Sequence, residues 1–376
     1  MKRHRLTRRS ALKTIAGGAA GLVTTGIPLR RSSAQSTLKI VLGTLPISPA
    51  LANYIGEVDF FRDEGLTVEP ARFQNFAPIV QGMATGSIAA GEIGVAPSII
   101  GLVRGLPLIA PFLSGFATPD HPFERIMVLP DSAIRTLDDL KGKKLAFLGP
   151  GTVPDMLLDA LPKRAKITKA DIKLVPMPAP NMADALARGL VDAIFAIPPA
   201  DTVAERKYHV RTVANATELV PYAGLSTVVL RRDFAEANPE AARKLYRACI
   251  RFARWIDDNP AEARKVAAKN LGLPADLAAQ MRIPLFARNG LPVMPNVWNL
   301  YEILVKSKTI DPHPDPARLI NEDIIEPTKR FSLPAVEALG LEPDPEIDNM
   351  LRGDYPFLPK PTANYYADWE RRLLKG

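Results

Sequence analysis

Short apolar runs alternate along the chain with segments at helical spacing, the pattern of an α/β protein. Residues 38–42 form an apolar run that ends at Gly43 and read as a buried first strand. Residues 49–62 place Leu51, Tyr54, Ile55, Val58 and Phe61 near helical spacing and predict one helix. Residues 66–72 alternate as a strand, and 77–84 read as a helix that Gly86 ends. A strand over 92–96 follows, Pro97-Ser98 opens a helix to Arg104, and 107–113 read as another strand. The order then recurs, with strands over 125–129, 144–148, 172–175 and 192–196. The intervening helices are a turn at 136–140, one from about Val153, one capped by Asn181 and running to Arg188, and one over 199–205. Two βαβαβ units thus follow one another, at about 37–115 and 122–215. Beyond a strand over 225–230, a long helix starts at Asn238-Pro239-Glu240 and reaches Trp255 or further. Its apolar stripe is Ala242, Leu245, Cys249, Phe252 and Ile256. From Pro327 the chain is rich in Pro, Asp and aromatics and reads as an irregular arm with a short final helix up to Leu374.

The first 34 residues do not belong to this pattern. Lys2, Arg3, Arg5, Arg8, Arg9 and Lys13 precede an apolar stretch over 14–29, and Ser32-Ser33-Ala34-Gln35 supplies small residues. Charged start, short apolar middle and small-residue end make an export signal, with the cut placed after Ala34. Thr7-Arg8-Arg9-Ser10-Ala11-Leu12-Lys13 resembles the twin-arginine signal, with Ala11 where that pattern usually has Phe. The signal also accounts for the charge. Its eight Lys/Arg, with no acid, are the whole excess of the chain's 48 basic over 40 acidic residues. A body near neutrality offers no concentrated basic face and gives no case for nucleic acid. The single cysteine, Cys249, precludes an internal disulfide, and none lies near the cut to carry a lipid. No later apolar run is long enough to span a membrane, so the body is expected not to be membrane-embedded. Its roughly 340 residues suit two domains.

The body also carries a family resemblance. Leu137-Asp138-Asp139-Leu140-Lys141-Gly142-Lys143-Lys144, Gly149-Pro150-Gly151-Thr152-Val153-Pro154-Asp155, Asn181-Met182-Ala183-Asp184-Ala185-Leu186-Ala187-Arg188-Gly189 and Val191-Asp192-Ala193 occur in order. Phe60-Phe61-Arg62-Asp63-Glu64-Gly65-Leu66, Met83-Ala84-Thr85-Gly86 and Ile93-Gly94 lie upstream, and Asp233-Phe234 with Asn238-Pro239-Glu240-Ala241 downstream. Together these resemble the periplasmic solute-binding proteins of ABC transporters for nitrate, sulfonates, taurine and pyrimidine thiamine-precursors, over about residues 38–323. The resemblance implies a two-lobed type II periplasmic-binding-protein fold, α/β, each lobe a mostly parallel sheet flanked by helices, with two crossing segments. Lobe 1 would be 36–116 plus 222–326, lobe 2 would be 117–221, and 327–376 an arm packed on lobe 1. It implies a small-molecule ligand held between the lobes by hinge closure, delivery to the permease and ATPase subunits of an importer, action as a monomer, and no cofactor or metal. The chain departs from the family at Ile197-Pro198-Pro199, where many members have Trp-Glu-Pro. An apolar wall there suits an organic ligand with one anionic or polar end, such as a sulfonate, with a small heteroaromatic next.

The candidate site follows from where open α/β sheets bind ligands, at the C-terminal ends of their strands. Those ends carry Thr44, Gln74 and Asn75, Pro97 and Ser98, Gly151 and Thr152, and Pro199. Gly151-Thr152 is the sharpest, because a glycine admits close approach and the following helix presents free N–H groups to an anion or acceptor. Thr152 could equally cap its own helix, and Gln74, Asn75 and Ser98 could be ordinary turn or cap residues. Phe116 and Tyr222, at the two crossings, either close over the ligand or pack at the hinge. The competing readings are a desulfinase-like or pyrimidine-precursor synthase-like enzyme on the same fold and a periplasmic ligand sensor. The desulfinase reading needs an activated cysteine, whereas Cys249 sits on an apolar stripe and reads as structural, and the synthases' cysteine-rich motif is absent. His121, His209 and His313 fall in no paired spacing, and His121 reads as an exposed loop residue near the first crossing.

Overall fold

A computed structural model describes residues 38–341 except 49, 120, 221 and 222. The export signal, Tyr222 and the last part of the arm lie outside the described residues. The strands are β1 (Lys39–Thr44), β2 (Thr67–Arg72), β3 (Ala90–Gly94), β4 (Leu108–Ile109), β5 (Leu113–Ala117) and β6 (Arg125–Val128). They continue as β7 (Lys144–Phe147), β8 (Lys173–Pro176), β9 (Ala193–Ala196), β10 (Arg211–Asn215), β11 (Ala223–Arg231) and β12 (Leu285–Phe286). The first sheet runs β12-β5-β11-β3-β1-β2, with β4 also on β11, and the second runs β10-β6-β9-β7-β8.

The two sheets repeat one design. In each, three parallel strands lie in the order second, first, third: β2-β1-β3 and β8-β7-β9. Beside the third lies an antiparallel strand that arrives from the other sheet, β11 in the first and β6 in the second. The chain therefore crosses once between Ala117 and Arg125 and returns once between Asn215 and Ala223. The crossings run side by side, because the Ala216 N–H donates to the Glu124 carbonyl at 2.9 Å and β5 pairs with β11 there. This is the two-lobed periplasmic-binding-protein fold. A purely parallel βαβ order is replaced at β6, which pairs with β9 rather than β7.

Buried parallel strands are apolar along their length, and every residue of β3, β6 and β9 except Glu92, Arg125 and the glycines is an apolar core residue. The helix Pro239–Asp258 covers one face of the first sheet with Leu245, Tyr246, Cys249, Phe252 and Ile256 buried. Each apolar side chain of that size stabilises the fold by roughly 1.5–3 kcal/mol. The opposite face packs on the helix Val95–Val103, and that core continues without a break into the second lobe.

Four segments differ from the pattern-based expectation. The strand expected over 107–113 is two, Leu108–Ile109 and Leu113–Ala117. Residues 49–62 form two short helices, Leu51–Tyr54 and Phe60–Asp63, since Gly56 takes a left-handed φ of 99° and Asp59 starts a new helix by accepting from the Arg62 N–H. The helix expected to be capped by Asn181 begins earlier, as Ala179–Ala187 with Pro178 before it. The arm is helical over its described part: Thr328–Ser332 and Leu333–Leu339 pack on Pro239–Asp258 through Phe331, Ala335 and Val336. The Ser332 hydroxyl anchors it by donating to the Pro111 carbonyl at 2.7 Å.

Cys249 lies in the middle of that core, 1% exposed, and burial, with Glu92 nearby, pushes its thiol well above the ordinary range. This is the wrong direction for a nucleophile. A thiol reagent is expected to label the native protein far more slowly than the protein in denaturant, and labelling at equal rates would show that the helix does not bury it.

Candidate functional site

The C-terminal ends of β1, β3, β7 and β9 face a common space between the lobes. The first lobe lines it with Ile47, Phe76, Gly94, Leu225 and Ser226. The second lobe and the first crossing add Phe123, Glu124, Leu148, Val153, Pro154 and Ile197. The lobes are drawn together until the cavity is about 20 Å³, room for roughly one water. Any organic ligand would hold them further apart. The Ser48 N–H donates across the gap to the Pro198 carbonyl at 3.0 Å, just before the cis Pro198-Pro199 bond. Arg282 reaches from the first lobe to the Pro122 carbonyl of the crossing at 3.1 Å. At Gly94 a Cβ would sit tightly, 3.0 Å from Pro97 of its own lobe, and in ordinary contact, 3.4 Å, with Val153 of the other lobe.

One group in this cavity is ionisable among the described lining residues: Glu124. It is 2% exposed, its Oε2 has no hydrogen-bond partner, and burial alone pushes its carboxyl from 4.5 up to about 8. The next residue does not neutralise it. Arg125 is committed to the helix Ala200–Tyr208, pairing with Asp201 at 2.6 Å and Glu205 at 2.5 Å. The β6–β9 register sets Arg125 opposite Ala196, which brings Glu124 alongside Ile197. Phe123 and Glu124 thus stand on the segment adjacent to 197–199.

The residues expected from sequence lie around this cavity, and none of the described ones lines it. Thr44 is fully buried inside the first lobe, where its hydroxyl donates to Glu92 Oε2 at 3.2 Å. Gln74 and Asn75 are exposed, and Asn75 accepts from the Ala77 N–H at 3.1 Å at the start of the helix Ala77–Thr85. Pro97 and Ser98 are buried in the first turn of Val95–Val103, with the Ser98 hydroxyl on the Val95 carbonyl at 2.6 Å. Ser98 faces a separate cavity of about 30 Å³ inside the first lobe, beside Asn296 and Thr227. Phe116 is a fully buried core residue of β5. The Gly151 N–H is taken by Asp155 Oδ2 at 2.8 Å, and the Thr152 hydroxyl donates to the Gly149 carbonyl at 2.6 Å rather than accepting from its own helix. Pro199 is half-buried at the start of Ala200–Tyr208. His121 is exposed.

The polar residues at the strand ends satisfy themselves locally, and their apolar neighbours form the wall. Phe76 follows Asn75, Val153 follows Thr152, and Ile197 precedes the proline pair. Glu124 and Ser226 are the polar lining residues outside the sequence-based set, and the only signal for Glu124 in the sequence is its place at a crossing beside Phe123.

The fold is that of the two-lobed periplasmic binding proteins. A family model described as NMT1/THI5 like matches residues 54–263, and the chain belongs to that family. The taurine-binding periplasmic protein of Escherichia coli (strain K12) is 28% identical over 201 residues, 54% of this chain and 61% of that relative. The chain thus spans about three fifths of the length of the relative it matches. The nitrate-binding periplasmic protein of Synechocystis PCC 6803 superposes with a TM-score of 0.70 at 15% identity, over 82% of this chain and 90% of that one. The alkanesulfonate-binding protein of Xanthomonas axonopodis pv. citri, bound to MOPS, gives 0.63 at 20% identity, over 75% and 97%. Among the described residues no helix is long and apolar enough to cross a membrane, and no group of three or more His, Cys, Asp or Glu could hold a metal ion.

Proposed function

We propose that this chain is the extracytoplasmic substrate-binding component of an ABC importer, capturing a small organic solute of the sulfonate and taurine class between its lobes. The observation that carries the reading is the cavity itself: it is closed by residues of both lobes at the strand ends, and two crossings tied side by side make a hinge. Family membership and relatives that bind taurine, nitrate and alkanesulfonates support it. Lobe 1 is 36–116 plus 222–326 and lobe 2 is 117–221 in this reading, and they move as two bodies around the crossings. The closed form, a monomer, is what the permease and its ATPase would recognise. The leader would direct the chain to the periplasm by the twin-arginine route, and replacing Arg8 and Arg9 with Lys tests that by its effect on export.

Thermal unfolding against nitrate, taurine, alkyl and aryl sulfonates, aromatic carboxylates and pyrimidines tests the binding. A ligand at about a hundred times its Kd adds roughly 2.7 kcal/mol and raises the midpoint by several degrees. A shift with one class and no chemical change in the compound is the expected result. Turnover of any compound would overturn it.

A further inference from the structure

We infer that Glu124 recognises an amino group on the ligand, so that the site selects a small amine or amino-zwitterion with a short carbon body over an amine-free anion. This rests on the solute-binding reading above and names the ligand class for the same site. Buried polar atoms in native proteins almost always have a partner, and one without a partner signals a group still to come. Glu124 Oε2 is such an atom, in a residue 2% exposed that lines the space between the lobes. Among the described residues, none supplies it a cation. Arg125 is spent on Asp201 and Glu205, Arg282 lies on the Pro122 carbonyl, and no Lys or Arg is among the described lining residues.

The setting suits an ammonium in other ways. The Glu124 backbone is fixed to the second crossing through Ala216, which positions the carboxyl at the hinge. The rings of Phe76 and Phe123 share the cavity, and aromatic faces attract cations. The Ser226 hydroxyl, which also lines the cavity, accepts from Ser114 at 2.8 Å, which leaves its own hydrogen for an acceptor on the ligand. An ammonium on a buried carboxylate makes a charge-assisted hydrogen bond, whereas an amine-free anion brings no donor to the unpartnered oxygen.

The test is calorimetric titration of the exported, purified protein with pairs differing at the amine: taurine against ethanesulfonate, benzylamine against benzyl alcohol, and 4-aminopyrimidine against pyrimidine, with nitrate alongside. In at least one pair the amino member is expected to bind about 10–100-fold more tightly. Glu124→Met, which replaces an unpartnered carboxyl with an apolar chain of similar length, should erase that preference, and Glu124→Gln should reduce it. Equal affinity within every pair, or a preference that survives in Glu124→Met, overturns the inference and leaves the solute-binding reading standing. No binding by any compound overturns the solute-binding reading, and this inference with it.

Discussion

Glu92→Ala is expected to destabilise the first lobe by about 3 kcal/mol, because three buried donors lose their acceptor at once. The Glu92 carboxylate, 4% exposed on β3, accepts from the Leu51 N–H at 2.5 Å, the Ala52 N–H at 3.3 Å and the Thr44 hydroxyl at 3.2 Å. These bonds favour the ionised form, yet burial outweighs them and raises the carboxyl from 4.5 to about 7. The sign for stability follows. Between those values the folded protein holds a proton that the unfolded chain has released. The contribution is therefore complete below about 4.5, is lost as pH rises through about 7, and is flat above. The span corresponds to roughly 3 kcal/mol. Asp323, raised to about 6 chiefly by burial, adds in the same direction. Asp139, Asp171, Asp184 and Asp233 are lowered by their hydrogen bonds and act only at more acid pH. Urea unfolding at pH 5 and pH 8 reads the difference. Wild type should lose stability over that interval and Glu92→Gln should lose clearly less. Parallel slopes for the two proteins would show that Glu92 is not the group titrating.

The same residue explains why the candidate site was only partly legible. The strand–helix order could be read because buried parallel strands are short apolar runs set between glycines and helical spacing. It failed where local chemistry overrode spacing: Gly56 splits the expected helix, and Ser114-Gly115 inside β5 hide a strand whose neighbours bury it. The strand ends around the cavity were equally legible, but not the side chains that fill it. A sequence shows that Thr44, Asn75, Ser98 and Thr152 are polar. It does not show that each has already spent its hydrogen bond on Glu92, Ala77, Val95 or Gly149. Glu124, conversely, is one carboxylate among 40 and stands next to an arginine, which reads as an ordinary solvated pair. Only the fold reveals that Arg125 pairs with another helix and leaves Glu124 Oε2 without a protein partner in the cavity.

That isolation should make closure of the empty protein strongly pH-dependent. With the lobes closed, the Glu124 carboxyl titrates near 8 rather than 4.5, from desolvation alone. Opening the hinge would return water to the carboxyl and lower it toward 4.5. The closed state then holds the proton more tightly, so closure takes one up between about 4.5 and 8. The closed population is favoured at acid pH, falls about tenfold per pH unit as pH rises through that window, and levels off above it. Summed over the window the bias is on the order of 5 kcal/mol, larger than that at Glu92, which opening the hinge cannot relieve. On the proposed reading, the empty cleft is expected to stand open at neutral pH, because closing it buries a bare carboxylate. The proposed ligand ammonium would remove that cost, which would couple closure to the correct solute rather than to any molecule that fits. Small-angle scattering of the ligand-free protein from pH 5 to pH 8.5 should show expansion with rising pH, and Glu124→Gln should stay compact throughout. A radius of gyration that ignores both pH and the substitution would show that Glu124 does not govern the hinge.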